Sequence, residues 1–327
     1  MLSAARPDSA PDSGQAYSGA APQPELDGFR SNRTYLGADH RRNERRTWIV
    51  VAICAVTCAA QLTGGTLFHS MALSASGLHM AAHVAVLLTA AGAYWLARRL
   101  AGDARFAFGA GKVGYLAGFA NAVVLVITAV TIAVESVARL FHPEAVDYGA
   151  AIPLAAAGLV VTVLCVWLLR PTRGAHAHHD HDGDLNLSAA HLHLTADAII
   201  SVLTMAGLAA GGALGWSFAD PLMGLAGAGL VAQFAYTLIR RAGAALLDIN
   251  PSPVLTEEIR IRLEAAGARV LDLHLWRLGP GHHAAVAVVT ADAPAPVETY
   301  RARLEDIPGL SHLTIEVRGA GAHGHIC

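Results

Sequence analysis

The chain has 327 residues, 54% of them hydrophobic and only 15% charged, with a formal net charge of −2. Soluble domains carry about 25% charged residues, so this balance and a mean hydropathy of +0.43 point to a polytopic membrane protein. The near-zero charge argues against a nucleic-acid partner, and 17 histidines against four cysteines direct any metal chemistry toward nitrogen and carboxylate ligands.

Residues 1–46 are rich in Ala, Pro, Ser, Gly and Asp and contain no apolar block. That composition predicts a disordered N-terminal tail rather than a secretory signal. A bilayer core takes about 20 apolar residues per helix, and six stretches qualify: 48–68, 71–97, 114–138, 149–169, 187–213 and 218–239. Together they define a six-span all-α transmembrane domain over 47–247. Lys and Arg cluster before span 1 ("RRNERR", 41–46), between spans 2 and 3, between spans 4 and 5, and after span 6. The other three connections carry none, so both termini are expected in the cytoplasm, with the protein integral to a bacterial inner membrane. Cys54, Cys58 and Cys165 lie in apolar runs and read as small core residues, while Cys327 is terminal; no spacing suggests a disulfide framework.

Ionisable groups at membrane depth are costly and mark function. Span 2 contains "GLHMAAHVAVL", with His79 and His83 four residues apart; span 5 contains "HLHLTAD", with His193 and Asp197 at the same spacing. Residues four apart share a helix face, so two adjacent helices can supply four ligands to one divalent transition metal. His191 lies about 200° around the helix from His193 and is expected to stay outside. Gln61, Asn121 and Gln233 read as interhelical hydrogen-bonding groups. Glu135 and Arg139 read as an ion pair, and Asp220-Pro221 as the start of span 6, with Asp as cap.

"RGAHAHHDHDGD" (173–184), between spans 4 and 5, holds His176, His178, His179 and His181 among three aspartates, a composition that captures divalent metal loosely and does not fold alone. Residues 248–327 change character, with charges and short alternating runs. "PVLTEEIRIRLEAAG" reads as a helix capped by Thr256, "RVLDLHLWRL" and "HHAAVAVVT" as strands around a "GPG" turn, "VETYRARLEDI" as a helix and "SHLTIEVRG" as a strand. The order suggests a small cytoplasmic α+β domain of ferredoxin-like kind. Its His274, His282, His283, His312 and Glu316 are candidates for a second, regulatory metal site.

The paired ligands, the histidine-rich loop, "FGAGK" (108–112), "ESVARL" after span 3, "DP" opening span 6 and "LHLWRLGPGHHA" (273–284) together resemble the cation diffusion facilitator family, over residues 35–318. "YLGADHRRNERRTW", "HMAAH" and "NLSAAHLHLTADA" look closest to its DmeF-type branch of cobalt and nickel exporters. The resemblance implies a homodimer that exchanges protons for a divalent cation, with His79, His83, His193 and Asp197 as transport ligands. Much of the family has Asp where His83 stands, and Ala287 occupies a usual His position of the cytoplasmic site. Co2+, Ni2+ and Zn2+ would be cargo; no prosthetic group or enzyme activity is expected. Two other classes share parts of the pattern: a membrane metal-responsive regulator that transports nothing, and a His-box di-metal oxygenase. The latter needs its histidines clustered at a cytoplasmic face, whereas these pairs lie in mid-span.

Overall fold

A computed structural model describes residues 35, 39–67, 71–103, 105–142, 148–170, 184–216 and 218–319. Six long helices come first: α1 His40–Leu67, α2 Met71–Arg99, α3 Val113–Phe141, α4 Tyr148–Leu168, α5 Leu185–Leu214 and α6 Ala219–Leu246. Each is long and apolar enough to cross a membrane. Their outer surfaces carry side chains that water would not favour, among them Ile127, Val130 and Val134 on α3 and Val160 and Val163 on α4. The protein is an integral membrane protein on these grounds.

The six spans fall where the apolar runs place them, but their ends are set by polar contacts. Helix α1 begins at His40, so "RRNERR" is helical rather than the end of a tail. This charged turn is held by Asp39–Arg42 and Glu44–Arg98 ion pairs of 2.8 and 3.1 Å and by His40 Nε2 against the Tyr94 carbonyl at 3.1 Å. Apolarity marks where a span meets lipid; hydrogen bonding decides where the helix stops. At the other boundary, α6 starts at Ala219 with Phe218 in the cap position, which puts Asp220 and Pro221 inside the first turn.

Two cores form within the bundle. One joins α1, α2, α4 and α5 through Val50, Cys54, Met80, Leu87, Tyr94, Cys165, Leu169 and Leu194. The other joins α3, α5 and α6 through Tyr115, Leu125, Val231 and Leu238. The α3–α6 and α1–α2 pairs are the most extensive. Small residues permit this closeness: Gly224 of α6 faces Ser136 of α3, and a Cβ on Gly77 of α2 would meet Leu62 of α1 at 2.8 Å. Gln61 of α1 donates to Ser76 of α2 at 3.0 Å, as an interhelical polar group should, whereas Gln233 lies on the exposed side of α6. Glu135 and Arg139 pair at 2.5 Å.

The C-terminal unit follows as α7 Pro253–Ala265, β1 Arg269–Gly279, β2 His282–Ala291, α8 Val297–Ala302 and β3 Leu310–Gly319. The sheet order is β1-β2-β3; β1 and β2 are antiparallel across the Pro280–Gly281 turn, and β2 and β3 parallel, with α8 in the crossover. Ile259 and Leu263 of α7 and Tyr300 of α8 cover one sheet face through Leu275, Ala285, Ala287 and Ile315. The cap of α7 is Ser252, whose Oγ accepts the Leu255 N–H; Thr256 sits a turn later and donates to the Ser252 carbonyl at 3.0 Å. Pro253 explains the earlier start, because a first-turn residue needs no N–H donor. Strand β1 does not alternate throughout, since the ladder shifts register between Val270 and Asp272.

"FGAGK" and "LGPGH" meet. A Cβ on Gly111 would overlap the Leu278 carbonyl, and one on Gly279 the Tyr35 carbonyl. Lys112 pairs with Asp248 just beyond α6, and Phe108 packs edge-on to Trp276 of β1, 5.5 Å between centroids. The loop between α2 and α3 is thereby seated on the sheet. Because successive spans alternate in direction, this domain end of the bundle also holds the start of α1 and α5 and the finish of α2 and α4.

Candidate metal centre

Helices α2 and α5 run antiparallel, so the two four-residue pairs meet crosswise. His79 Nε2 lies 3.0 Å from Asp197 Oδ1, and His83 Nδ1 lies 3.1 Å from His193 Nε2. His83 Nε2 completes the group, 3.2 Å from both Asp197 Oδ2 and His79 Nε2. Ligand atoms of His79, His83 and Asp197 all fall within 4.8 Å of one another, the one such group of three among the described residues. The His79 and His83 rings meet edge to face, as do those of His83 and His193.

The arrangement brings three of the four expected ligands to one point. His193 stands behind His83, facing its other ring nitrogen. A carboxylate only accepts, so His79 and His83 both donate from Nε2 to Asp197, and His83 Nδ1 accepts from His193. Two N–H groups are thus crowded 3.2 Å apart around one anion, a geometry that a single divalent cation replacing both hydrogens would relieve. Nδ1 of His193 is buried with no hydrogen-bond partner among the described residues. Such an orphan costs free energy in a closed core and fits a group held ready for another arrangement. His191 stays apart, as its helical position requires.

Burial grades the site. The His79 side chain is 59% exposed, while those of His83 and Asp197 are 4% and 12% exposed. Toward the domain end, Leu87, Ala90, Ala190 and Leu194 close over the ligands. Below them lies a polar knot: Asp184 caps α5 by accepting the Leu187 N–H at 3.2 Å, accepts from Asn43 at 3.0 Å and pairs with the Tyr94 hydroxyl. Asn186 donates to the Ala90 carbonyl at 2.8 Å. These contacts tie α1, α2 and α5 together where a cation would enter from that end.

One further side chain touches the cluster without a distinctive signal in the sequence. Thr162 of α4 donates to Asp197 Oδ2 at 3.2 Å inside the core. Its only signal was a hydroxyl within "LVVTVLCV", a pattern that Ser/Thr bonding to the helix backbone usually explains.

The other candidates do not converge. His176, His178, His179 and His181 lie outside the described residues. In the C-terminal unit, His274 pairs with Asp272 at 2.8 Å, His282 with Ser311 at 2.7 Å, and Glu316 with Arg318 at 2.6 Å. His283 is buried, and His312 packs against Phe108, where burial, with the Arg301 charge adding, pushes it below the ordinary histidine value. Asp272, Ser311, Arg318 and Phe108 occupy these side chains separately, and no three-ligand group forms from them among the described residues.

Residues 47–247 match the family model described as the cation efflux transmembrane domain. The chain belongs to the cation efflux, or cation diffusion facilitator, family. It is a divalent metal cation efflux transporter of that family, whose members are transporters rather than enzymes. Among curated relatives, it is 30% identical over 292 residues to the zinc transporter ZitB of Escherichia coli, covering 87% of this chain and 90% of that one. It is 24% identical over 300 residues to a cadmium, cobalt and zinc/H(+)-K(+) antiporter of Bacillus subtilis, covering 89% and 94%. The metal cation efflux system protein CzcD of Cupriavidus metallidurans is 26% identical over 293 residues, with 86% and 90% covered.

Proposed function

We propose that this cation efflux protein exports Co2+ and Ni2+, with Zn2+ as a further substrate, in exchange for protons. His79, His83, His193 and Asp197 hold the ion; as it loads, the His83 ring swings off His193, whose Nε2 takes the fourth place. The observation that carries the reading is the crosswise meeting of the two helical pairs, 3.0 and 3.1 Å apart. Three imidazoles and one carboxylate form a nitrogen-rich set that suits cobalt, nickel and zinc over magnesium, calcium or manganese. The relatives' names include zinc, cobalt and cadmium, which agrees with that class; nickel rests on the ligand set and the resemblance of the motifs.

Coupling follows from the ligands. Metal and proton compete for the same nitrogens, and histidine's reference pKa of about 6.5 places the exchange near physiological pH. The exposed His79 is the first ligand that protons from outside would reach. In this reading the protein is a homodimer of the bacterial inner membrane with both termini cytoplasmic. It comprises a tail (1–46) whose last turn is already helical, a transport domain (47–247), and a cytoplasmic domain (248–327).

The test is flux in sealed proteoliposomes. An imposed pH gradient should drive cobalt and nickel uptake, and Asp197→Ala or His83→Ala should abolish it. Native rates in those variants would overturn the assignment; absence of flux in the native protein would favour a regulator that senses metal without moving it.

A further inference from the structure

A cavity of about 520 Å³ opens where the helix bundle meets the C-terminal unit. Its polar wall holds Ser188 near the start of α5, Arg241 near the end of α6 and Arg277 of β1, and Ala245, Ile249 and Pro251 are among its apolar residues. We infer that the cavity binds the headgroup of an anionic phospholipid, with the phosphate held by Arg241 and Arg277.

Charge selects the anion. Two arginines and no carboxylate line the space. The carboxylates that flank its walls in sequence are engaged elsewhere: Asp184 accepts from Asn43 and Tyr94, and Asp248 pairs with Lys112. Arg241 makes no ion pair among the described residues. Arg277 lies over the ring of buried Tyr115, 5.8 Å from its centroid, a contact that steadies a planar fork of N–H donors suited to phosphate. A headgroup that also carries an ammonium would find no carboxylate in this lining to receive it, so a phosphate of unopposed charge is preferred.

Depth selects a lipid as the source of that phosphate. Tyr236 of α6 is exposed, and the Arg240 guanidinium, one turn on, lies 5.7 Å from its ring centroid. An exposed tyrosine beside a basic residue at the end of a span marks the level of the lipid headgroups, and Arg241 is the next residue. Beyond it, Leu247 and Ile249 expose apolar side chains, with Ile249 in the cavity wall itself. A free phosphate would leave these against water, whereas the glycerol and upper acyl carbons of a lipid would cover them. Basic pockets beside spans at this level suit such headgroups, and the volume falls in the range of about 300–1,000 Å³ typical of ligand sites. Because the walls come from α5, α6, the segment after α6 and β1, a lipid seated here ties the C-terminal unit to the bundle at the membrane surface. Binding does not depend on the transport reading.

The full chain, purified in a mild detergent and stripped of lipid, is titrated with phosphatidylglycerol and separately with phosphatidylethanolamine of the same acyl chains. Native mass spectrometry counts the lipid bound. One arginine beside an anionic headgroup is worth about fivefold in affinity, so Arg241→Gln should weaken phosphatidylglycerol about fivefold and the double variant with Arg277→Gln about 25-fold. Arg240→Gln, at the same depth but outside the cavity lining, should leave binding unchanged. Phosphatidylglycerol should also raise the Tm of the native protein and not that of the double variant. Arg241 is exposed, so its single variant keeps its thermal transition and decides the matter if the Arg277 change disturbs the sheet. Equal binding of the two lipids, or an equal loss in Arg240→Gln and Arg241→Gln, would reduce the effect to general surface attraction and overturn the inference. Displacement of the bound lipid by millimolar inorganic phosphate would overturn the lipid source and give the cavity to a soluble anion.

Discussion

Thr162→Val replaces a hydroxyl by a methyl of nearly the same shape, so it tests the polar contact with little change in packing. The hydroxyl has one proton and two acceptors in reach, the Gly158 carbonyl at 3.1 Å and Asp197 Oδ2 at 3.2 Å; the negative charge favours the carboxylate. A hydrogen bond to a charged group is worth about 1.5–3 kcal/mol, and each 1.4 kcal/mol is about tenfold in affinity. Without it, the buried carboxylate is free to rotate, and metal binding must restore its orientation. Partners that orient a ligand typically account for about 10–100-fold in metal affinity, the same order. We therefore expect Thr162→Val to raise the cobalt Kd by about 10–100-fold, more steeply at acid pH where protons compete, and Thr162→Ser to restore most of it. Isothermal titration of the purified protein in nanodiscs at several pH values reads this directly. Equal affinity in Thr162→Val and the native protein would refute the reasoning, and an equal loss in the serine variant would reassign the effect to packing.

Gly111→Ala should drive a Cβ into the Leu278 carbonyl and destabilise the seating of the α2–α3 loop by about 1–3 kcal/mol, seen as a lower Tm in detergent, with no such loss in Gly92→Ala, where the added carbon meets nothing and alanine favours the helix. X-ray absorption of the cobalt-loaded protein should count three imidazole nitrogens if, as proposed, His193 joins the ion when His83 turns. A count of two would leave His193 as the partner that orients His83.

The polar knot at Asp184 gives the site its asymmetry. Asn43, Tyr94 and Asp184 come from three helices, so the end of the bundle beside the C-terminal unit is fastened by directional bonds. Small apolar side chains then fill the space up to the ligands. At the opposite side His79 remains open. A transporter that exposes its site alternately must break one such closure to load, and hydrogen bonds at a helix start are cheaper to exchange with water than a packed core.

Much of this protein could be read along the chain. Six spans follow from apolar length, because a bilayer imposes one dimension on every helix that crosses it. The candidate ligand pairs follow from helical period, since residues 79 and 83, or 193 and 197, must share a face whatever surrounds them. The order of helices and strands in the C-terminal unit follows from alternation and from its turn residues. What the chain could not disclose is how side chains from separate elements are oriented where they meet. His83 has two nitrogens on opposite sides of its ring, and only the packing of α2 against α5 decides that one faces Asp197 and the other His193. Thr162 looked like an ordinary member of an apolar run because its partner lies 35 residues away. Local periodicity determines which face a residue occupies; contact across helices depends on the rotation and approach of two rigid bodies, and that is a property of the assembled bundle alone.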